Sequence, residues 1–346
     1  MSWKRNLKEL FNESLPSADN PVCAENMHRM EEIVKLPLIV LTGPTAVGKT
    51  SLSIRLAKAV GGEIISADSM QVYRHMDIGS AKVTREEMDG VPHHLIDILE
   101  PDEEFNVVIF QDRAKAAIEE IRARGHVPVI AGGTGFYIQA LVYDIDFKEN
   151  EEGGRVRREL EDLAGKNGPA YLHHLLAQAD PESARSIHPN NVKRVIRALE
   201  YYRQTGEKIS LHNETERGKE SPYQLFYYVL NTDRETLYKR IDSRVDQMLE
   251  KGLVKEVQAL KARGCTRELV SMQGLGYKEI LDYLDGKTTL QEAVYILKRD
   301  TRHFAKRQLT WFRRERDVRW LNLPQFDNDT GKVLSHILQE WRKEAL

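Results

Sequence analysis

The sequence predicts an α/β fold, a parallel sheet covered by helices and carrying a mainly helical insertion. Three observations predict it. Apolar runs recur at 36–41 (LPLIVL), 63–67 (EIISA) and 127–131 (VPVIA), stretches of helical periodicity alternate with them, and the strand signal vanishes from about Phe147 until 225–230 (LFYYVL). Taken in order, residues 1–35 are polar and interrupted by Pro16 and Pro21, which predicts a loosely ordered extension. The run 36–41 is a buried strand. After it Leu52, Leu56 and Ala59 recur at helical spacing, and 63–67 is a second strand. A helix over 110–124 leads to the third strand, which ends in Gly132-Gly133. Strands alternating with helices imply a parallel sheet with both faces covered, so 36–146 is the first part of the core. Residues 147–222, rich in Arg, Glu, His and Ala, form the helical insertion. The core resumes over 223–322, mostly helical from Arg234 to Trp320, and 323–346 closes it with an amphipathic helix bearing Val333, Ile337 and Trp341.

At about 150 residues per domain, 346 residues suggest roughly two domains. A composition 41% hydrophobic and 30% charged supplies a sizeable core and excludes a membrane-embedded chain. Lys plus Arg (51) nearly balance Asp plus Glu (53), so a nucleic-acid partner must be held by a local basic face. Cys23 and Cys265 lie far apart with no CxxC or Cys/His spacing, which argues for two free thiols rather than a zinc site or a disulfide framework. The first 20 residues hold no apolar export segment, and the cytoplasm is the expected compartment.

The loop Gly43-Pro44-Thr45-Ala46-Val47-Gly48-Lys49-Thr50 matches G-x-x-x-x-G-K-[ST] in full, between an apolar strand and a helix. This makes the core P-loop nucleoside-triphosphatase-like. Backbone N–H groups would surround phosphate oxygens, Lys49 would neutralise charge, and the Thr50 hydroxyl would ligate Mg2+. Such loops serve triphosphatases, small-molecule kinases and GTP switches. No NKxD-type guanine reader is present, and VPVIA ends in Gly132-Gly133-Thr134 rather than a Walker B Asp. The cradle would serve a departing diphosphate equally well. At the end of the second strand, Asp68 stands at the ligand edge of a parallel sheet. It suits a magnesium ligand or base in a kinase, a base acting on an attacking nitrogen in a transferase, or a plain turn cap.

SADSMQVYRHMDIGSAKVT, with GPTAVGKT before it and PHHLIDI after it, closely resembles the tRNA dimethylallyltransferase (tRNA isopentenyltransferase) family. The resemblance continues through AGGTGFYIQAL, IHPNNVKRVIRALEYY, RVDQMLEKGLVKEV, QGLGYKE and FAKRQLTWFRR, covering about residues 36–320. It implies transfer of a dimethylallyl group from dimethylallyl diphosphate to the exocyclic amine of the adenosine 3′ of the tRNA anticodon, with Mg2+. Gly43 to Thr50 would hold the diphosphate, Asp68 would take the amine proton, and Arg244 resembles a second cation on the leaving group. For tRNA binding the resemblance carries over Asp68, Ser69, Met70, Gln71, Thr134, Arg157, Lys193, Arg194, Val195, Ile196, Arg197, Gln273, Gly274, Leu275, Gly276, Tyr277 and Lys278. Two departures are Asn191, where many relatives have an acid, and the long extension before the first strand, within which Met27 or Met30 is an alternative start. A monomer acting on the anticodon stem-loop is expected, away from membranes. A small-molecule kinase and a nucleotide-dependent RNA-binding switch are the alternative readings.

The segment 297–320 holds nine Lys/Arg against three acids, a local +6. Phe304, Leu309 and Phe312 approximate an inward stripe, which puts Arg299, Arg302, Lys306 and Arg313 outside. Lys193, Arg194 and Arg197 form a second basic element, suited to an RNA stem-loop. Adjacent histidines, His93-His94 and His173-His174, do not share a helix face and are assigned to packing or RNA contact rather than metal.

Overall fold

The computed structural model of the chain describes residues 35–147 and 154–345. All of the predicted extension except Lys35, and with it Cys23, lies outside the described residues. The described residues form two compact units, one comprising those up to Val142 with those from Pro222 on, the other Tyr143–Ser221.

In the first unit, β1 (Pro37–Thr42), β2 (Gly62–Ala67), β3 (His93–His94), β4 (Val127–Gly132), β5 (Gln224–Asn231) and β6 (Val318–Asn322) form one sheet in the order β3-β2-β4-β1-β5-β6. Every pairing is parallel. β1, β2 and β5 are buried almost throughout, as continuous apolar runs require when helices cover both faces. The register sets Thr42, Ala67 and Gly132 side by side, so the C-terminal ends of β1, β2 and β4 make one edge. The Thr42 hydroxyl reinforces it by donating to Gly132 O at 2.8 Å.

Helix α1 (Lys49–Val60) starts at Gly48, φ 106, and stops at Gly61, φ 63, two left-handed positions that glycine adopts without a Cβ clash. It buries Leu52, Ile54, Leu56 and Ala57, whereas Ala59, at helical spacing from Leu52 and Leu56, is exposed. Short α2 (Arg85–Met88) has a Thr84/Glu87 capping box. α3 (Val107–Ala123) is capped by Asn106, and α4 (Gly135–Val142) follows β4 directly. In the second unit, α5 (Arg155–Asn167), α6 (Pro169–Ala179), α7 (Pro181–Ser186), α8 (Val192–Thr205) and α9 (Ile209–Gly218) pack around Leu160, Leu172, Leu176, Val195 and Leu199.

The first unit resumes with β5, then α10 (Arg234–Glu250), α11 (Leu253–Ala262), α12 (Tyr277–Leu284), α13 (Leu290–Phe312), β6 and α14 (Thr330–Glu344). β6 begins inside the span expected to be mostly helical, at Val318, and its five residues pair with β5 from Tyr227↔Val318 to Asn231↔Asn322. Arg319 of that strand lies over Phe226 and Tyr228 and pairs with Glu340 and Glu344, tying α14 down, while Trp341 packs edge-on against Phe226.

Candidate active site

A cleft open to solvent lies at the C-terminal edge of the sheet and is lined by Thr45, Lys49, Thr50, Asp68, Gln71, Gly133, Arg244, Phe304 and Gln308 among others. Strand ends and the loops that leave them build such a crevice because the backbone there is no longer committed to the ladder. The loop from Gly43 to Gly48 leaves β1 and enters α1, and Ala46 at φ 63 and Gly48 at φ 106 give it the left-handed turns that point successive N–H groups inward.

Lys49 folds back to donate to Gly43 O at 3.0 Å and Pro44 O at 2.7 Å. Burial, with Arg244 beside it, pulls its ammonium down to about 7, against the opposing pull of Asp68. Arg244 reaches the loop from α10, its Nη1 3.5 Å from Thr45 Oγ1, and Arg240 one turn earlier donates to Val47 O at 3.4 Å. Burial lowers the pKa of Arg244 as well, and Asp68 opposes it. Two cations crowded into one cleft call for an anion there.

Asp68 follows β2 directly. Its Oδ1 accepts from Met70 N at 2.8 Å and Gln71 N at 3.4 Å, so the turn-capping reading holds for one oxygen. Oδ2 accepts from no described residue and leaves a carboxylate oxygen for chemistry. Burial raises the Asp68 pKa, while the two N–H bonds, Lys49 and Arg244 pull it back. A desolvated carboxylate is a stronger base than a hydrated one, which suits proton removal.

Thr134 N donates to Ala67 O at 3.1 Å, which ties Thr134 to the residue before Asp68. Gln71 lines the cleft and accepts from the Ser66 hydroxyl at 3.1 Å. Met70 lies against Gly274, where an added Cβ would meet its Cε at 2.5 Å, so the 68–71 turn and the Gln273–Gly274 segment touch. Tyr277, one of the expected tRNA contacts, is fully buried: its hydroxyl donates to Glu256 Oε1 at 2.9 Å and accepts from Ser80 N at 3.2 Å. Glu256 also accepts from the N–H groups of Asp77, Ile78 and Gly79, so the pair pins the loop downstream of Asp68. Ser69, Leu275 and Lys278 are half-buried and Gln273 is exposed, while Gly276 is buried.

Of the carried-over residues in the second unit, Lys193 and Arg194 are exposed on α8, whereas Val195 and Ile196 are core and cannot meet RNA through their side chains. Arg157 and Arg197 converge on the buried carboxylate of Glu200, at 2.8 and 3.5 Å. On α13 the inward stripe is Ala305, Gln308 and Phe312, and Phe304 and Leu309 are half-buried at its borders. Arg302, expected on the outer side, is instead held by Asp242 of α10 through two 2.9 Å contacts, because the neighbouring helix brings a carboxylate to it. Lys298 pairs with Asp246 and Arg299 with Asp300, while Lys306, Arg307, Arg313 and Arg314 remain exposed. His94 and His126 hydrogen-bond Glu63, and His173 reaches the carbonyls of Ala184 and Ile187; no group of metal-ligating residues occurs among the described residues.

Gln308, Arg240 and Glu256 escaped sequence reasoning. For Gln308 a signal existed, since it stands three residues after Ala305 and four before Phe312, in register with the buried stripe.

An α/β core with a glycine-turned phosphate loop, and with Lys49, Arg244 and Asp68 half-buried in one cleft beside it, defines an enzyme that handles a phosphorylated substrate. Residues 71–315 match the IPP transferase family, and the chain belongs to that family. It is similar to a tRNA dimethylallyltransferase of Lachnoclostridium phytofermentans, 66% identical over 90% of this chain and 99% of that one. One of Carboxydothermus hydrogenoformans is 53% identical over 82% and 91% of the two chains. Among solved structures, the tRNA isopentenylpyrophosphate transferase of Bacillus halodurans aligns with TM-score 0.68 at 47% identity, covering 90% of this chain and 98% of that one. A eukaryotic dimethylallyltransferase, solved acting on tRNA, aligns with TM-score 0.72 at 32% identity, covering 84% and 76%.

Proposed function

We propose that the protein transfers a dimethylallyl group from dimethylallyl diphosphate to the exocyclic amine of the adenosine 3′ of the anticodon in tRNA, releasing diphosphate. The observation that carries this reading is the meeting of Lys49, Arg244 and Asp68 in one cleft at the phosphate loop. The amine nitrogen attacks the allylic carbon, the carbon–oxygen bond to diphosphate breaks with its electron pair on the leaving oxygen, and Asp68 accepts the amine proton. An adenine amine is a weak nucleophile, so proton removal and leaving-group stabilisation both lower the barrier. Lys49, Arg244 and the loop N–H groups bind the diphosphate and take up its growing charge. The hard hydroxyl oxygen of Thr50 on the cleft wall suits Mg2+. When bound, that ion supplies further positive charge to the diphosphate.

Exposed Lys193, Arg194, Lys306, Arg307, Arg313 and Arg314 are the groups we assign to the phosphates of the anticodon stem-loop. Thr134 and the segments 68–71 and 273–278 border the base to be modified. Modification of a stacked adenine requires its extraction from the loop, and a cleft at the sheet edge receives it. Among the described residues no helix is long and apolar enough to cross a membrane; a cytoplasmic monomer fits a tRNA substrate. The test is incubation with labelled dimethylallyl diphosphate and, separately, labelled ATP, each with bulk tRNA. Label from the prenyl donor appearing in tRNA nucleosides supports the reading, and transfer from ATP to a small hydroxyl compound would replace it with a kinase.

A further inference from the structure

The helix that carries the exposed basic residues also reaches inward to the phosphate loop. Gln308 is 7% exposed, and both ends of its carboxamide are engaged: Oε1 accepts from Thr45 N at 2.8 Å and Nε2 donates to Gly133 O at 2.9 Å. One side chain therefore ties the first half of the loop to the segment leaving β4. The fit is tight, since a Cβ on Gly133 would lie 2.3 Å from Gln308 Nε2. The arrangement is also costly to leave unmade, because a buried amide without partners forfeits its hydration. Thr45 is the residue whose hydroxyl faces Arg244 at 3.5 Å, so the bond from Gln308 fixes the part of the loop nearest that cation.

We propose that Gln308 is a positioning residue for the diphosphate cradle: it holds Thr45 and Gly133 at a fixed separation and so sets the shape of the loop that receives the leaving group. This rests on the transfer reading above. A side chain of the same length without hydrogen-bonding atoms should leave the helix in place and release the loop. In the wild type the N–H of Thr45 is committed to Gln308 and is not among the donors offered to diphosphate, and the inward set of the remaining donors depends on that tie.

Two variants test it, Gln308→Met and Gly133→Ala. The second leaves residue 308 intact and displaces its amide by the added methyl, whose next contact beyond the Gln308 side chain is Gly43 O at 3.6 Å. Calorimetric titration with inorganic diphosphate and Mg2+, and steady-state kinetics with dimethylallyl diphosphate and tRNA, read the effect. Both variants should weaken diphosphate binding and raise KM for dimethylallyl diphosphate by about tenfold or more, the scale of removing two hydrogen bonds. KM for tRNA should stay near wild type, and the melting temperature should fall by a few degrees at most, since each variant leaves a buried polar group without its partner. Unchanged diphosphate affinity in either folded variant overturns the proposal, as does an equal loss for diphosphate and tRNA, which marks a mere strut. If Gln308→Met does not fold, Gly133→Ala decides alone. A wild-type protein that binds diphosphate but transfers no prenyl group would sink the transfer reading instead, and the titrations still judge Gln308.

Discussion

Lys49→Met should make the ligand-free protein more stable at neutral and acidic pH while abolishing diphosphate binding. The wild-type ammonium is pulled from 10.5 to about 7, chiefly by burial and then by Arg244. At 1.36 kcal/mol per unit, the penalty of carrying that charge in the folded state is roughly 4–5 kcal/mol. Losing the bonds to Gly43 O and Pro44 O costs about 1 kcal/mol each, since water in the open cleft replaces part of them. The net expectation is a gain of about 2–3 kcal/mol below pH 7. The sign follows from proton counts: between about 7 and 10.5 the unfolded chain keeps a proton that the folded protein has released, so wild-type stability rises with pH and the advantage of the variant shrinks. The advantage falls by about 1.4 kcal/mol per pH unit above 7 and vanishes at about pH 9, and above 10.5 the variant is the less stable by the roughly 2 kcal/mol of the lost bonds. Urea denaturation of both proteins at pH 6, 8 and 10 gives the difference directly, with the other titrations cancelling. A variant less stable than wild type at pH 6, or a difference that ignores pH, would refute the reasoning that an unliganded cleft holds a destabilised cation.

Arg244→Ala should weaken diphosphate binding by about 3 kcal/mol, the worth of a charge aimed at a desolvated anion, and leave tRNA affinity alone; competition titrations with inorganic diphosphate check it. Replacing Arg307 and Arg313 by Ala should flatten the slope of log tRNA affinity against log salt by about 0.7 to 0.9 for each phosphate no longer neutralised. Arg302→Ala should instead cost about 1–2 kcal/mol of stability through its tie to Asp242, with the salt slope unchanged. In the second unit Arg194→Ala should act on tRNA affinity, whereas Arg157→Ala should lower the melting temperature by weakening the pairing of buried Glu200.

The phosphate loop was legible because its chemistry is local: eight consecutive residues set both the turn and the donors. Asp68 was legible because a strand that runs out in an acid puts that acid at the sheet edge. What stayed hidden depends on contacts between distant segments. Whether an arginine on α13 faces RNA or Asp242 is decided by α10, some 60 residues away in the chain, and a basic run carries no mark of the difference. Val195, Ile196 and Tyr277 were swept into contact motifs with their exposed neighbours, although their side chains hold the motif in place rather than meet a ligand. β6 is too short, and too close behind a basic run, to announce itself, and becomes a strand because β5 offers it an edge. For Gln308 the helical register marks a buried position, but its partners Thr45 and Gly133 lie 263 and 175 residues away in the chain.

The proposed mechanism turns on Asp68 as the group that takes the amine proton, and single-turnover transfer from labelled dimethylallyl diphosphate to tRNA measures that step most directly. Asp68→Ala should bind diphosphate and tRNA near normally and lose about 10²- to 10⁴-fold in the single-turnover rate, the usual contribution of a general base. A variant that transfers the prenyl group at the wild-type rate would leave Asp68 as a turn cap and contradict the mechanism.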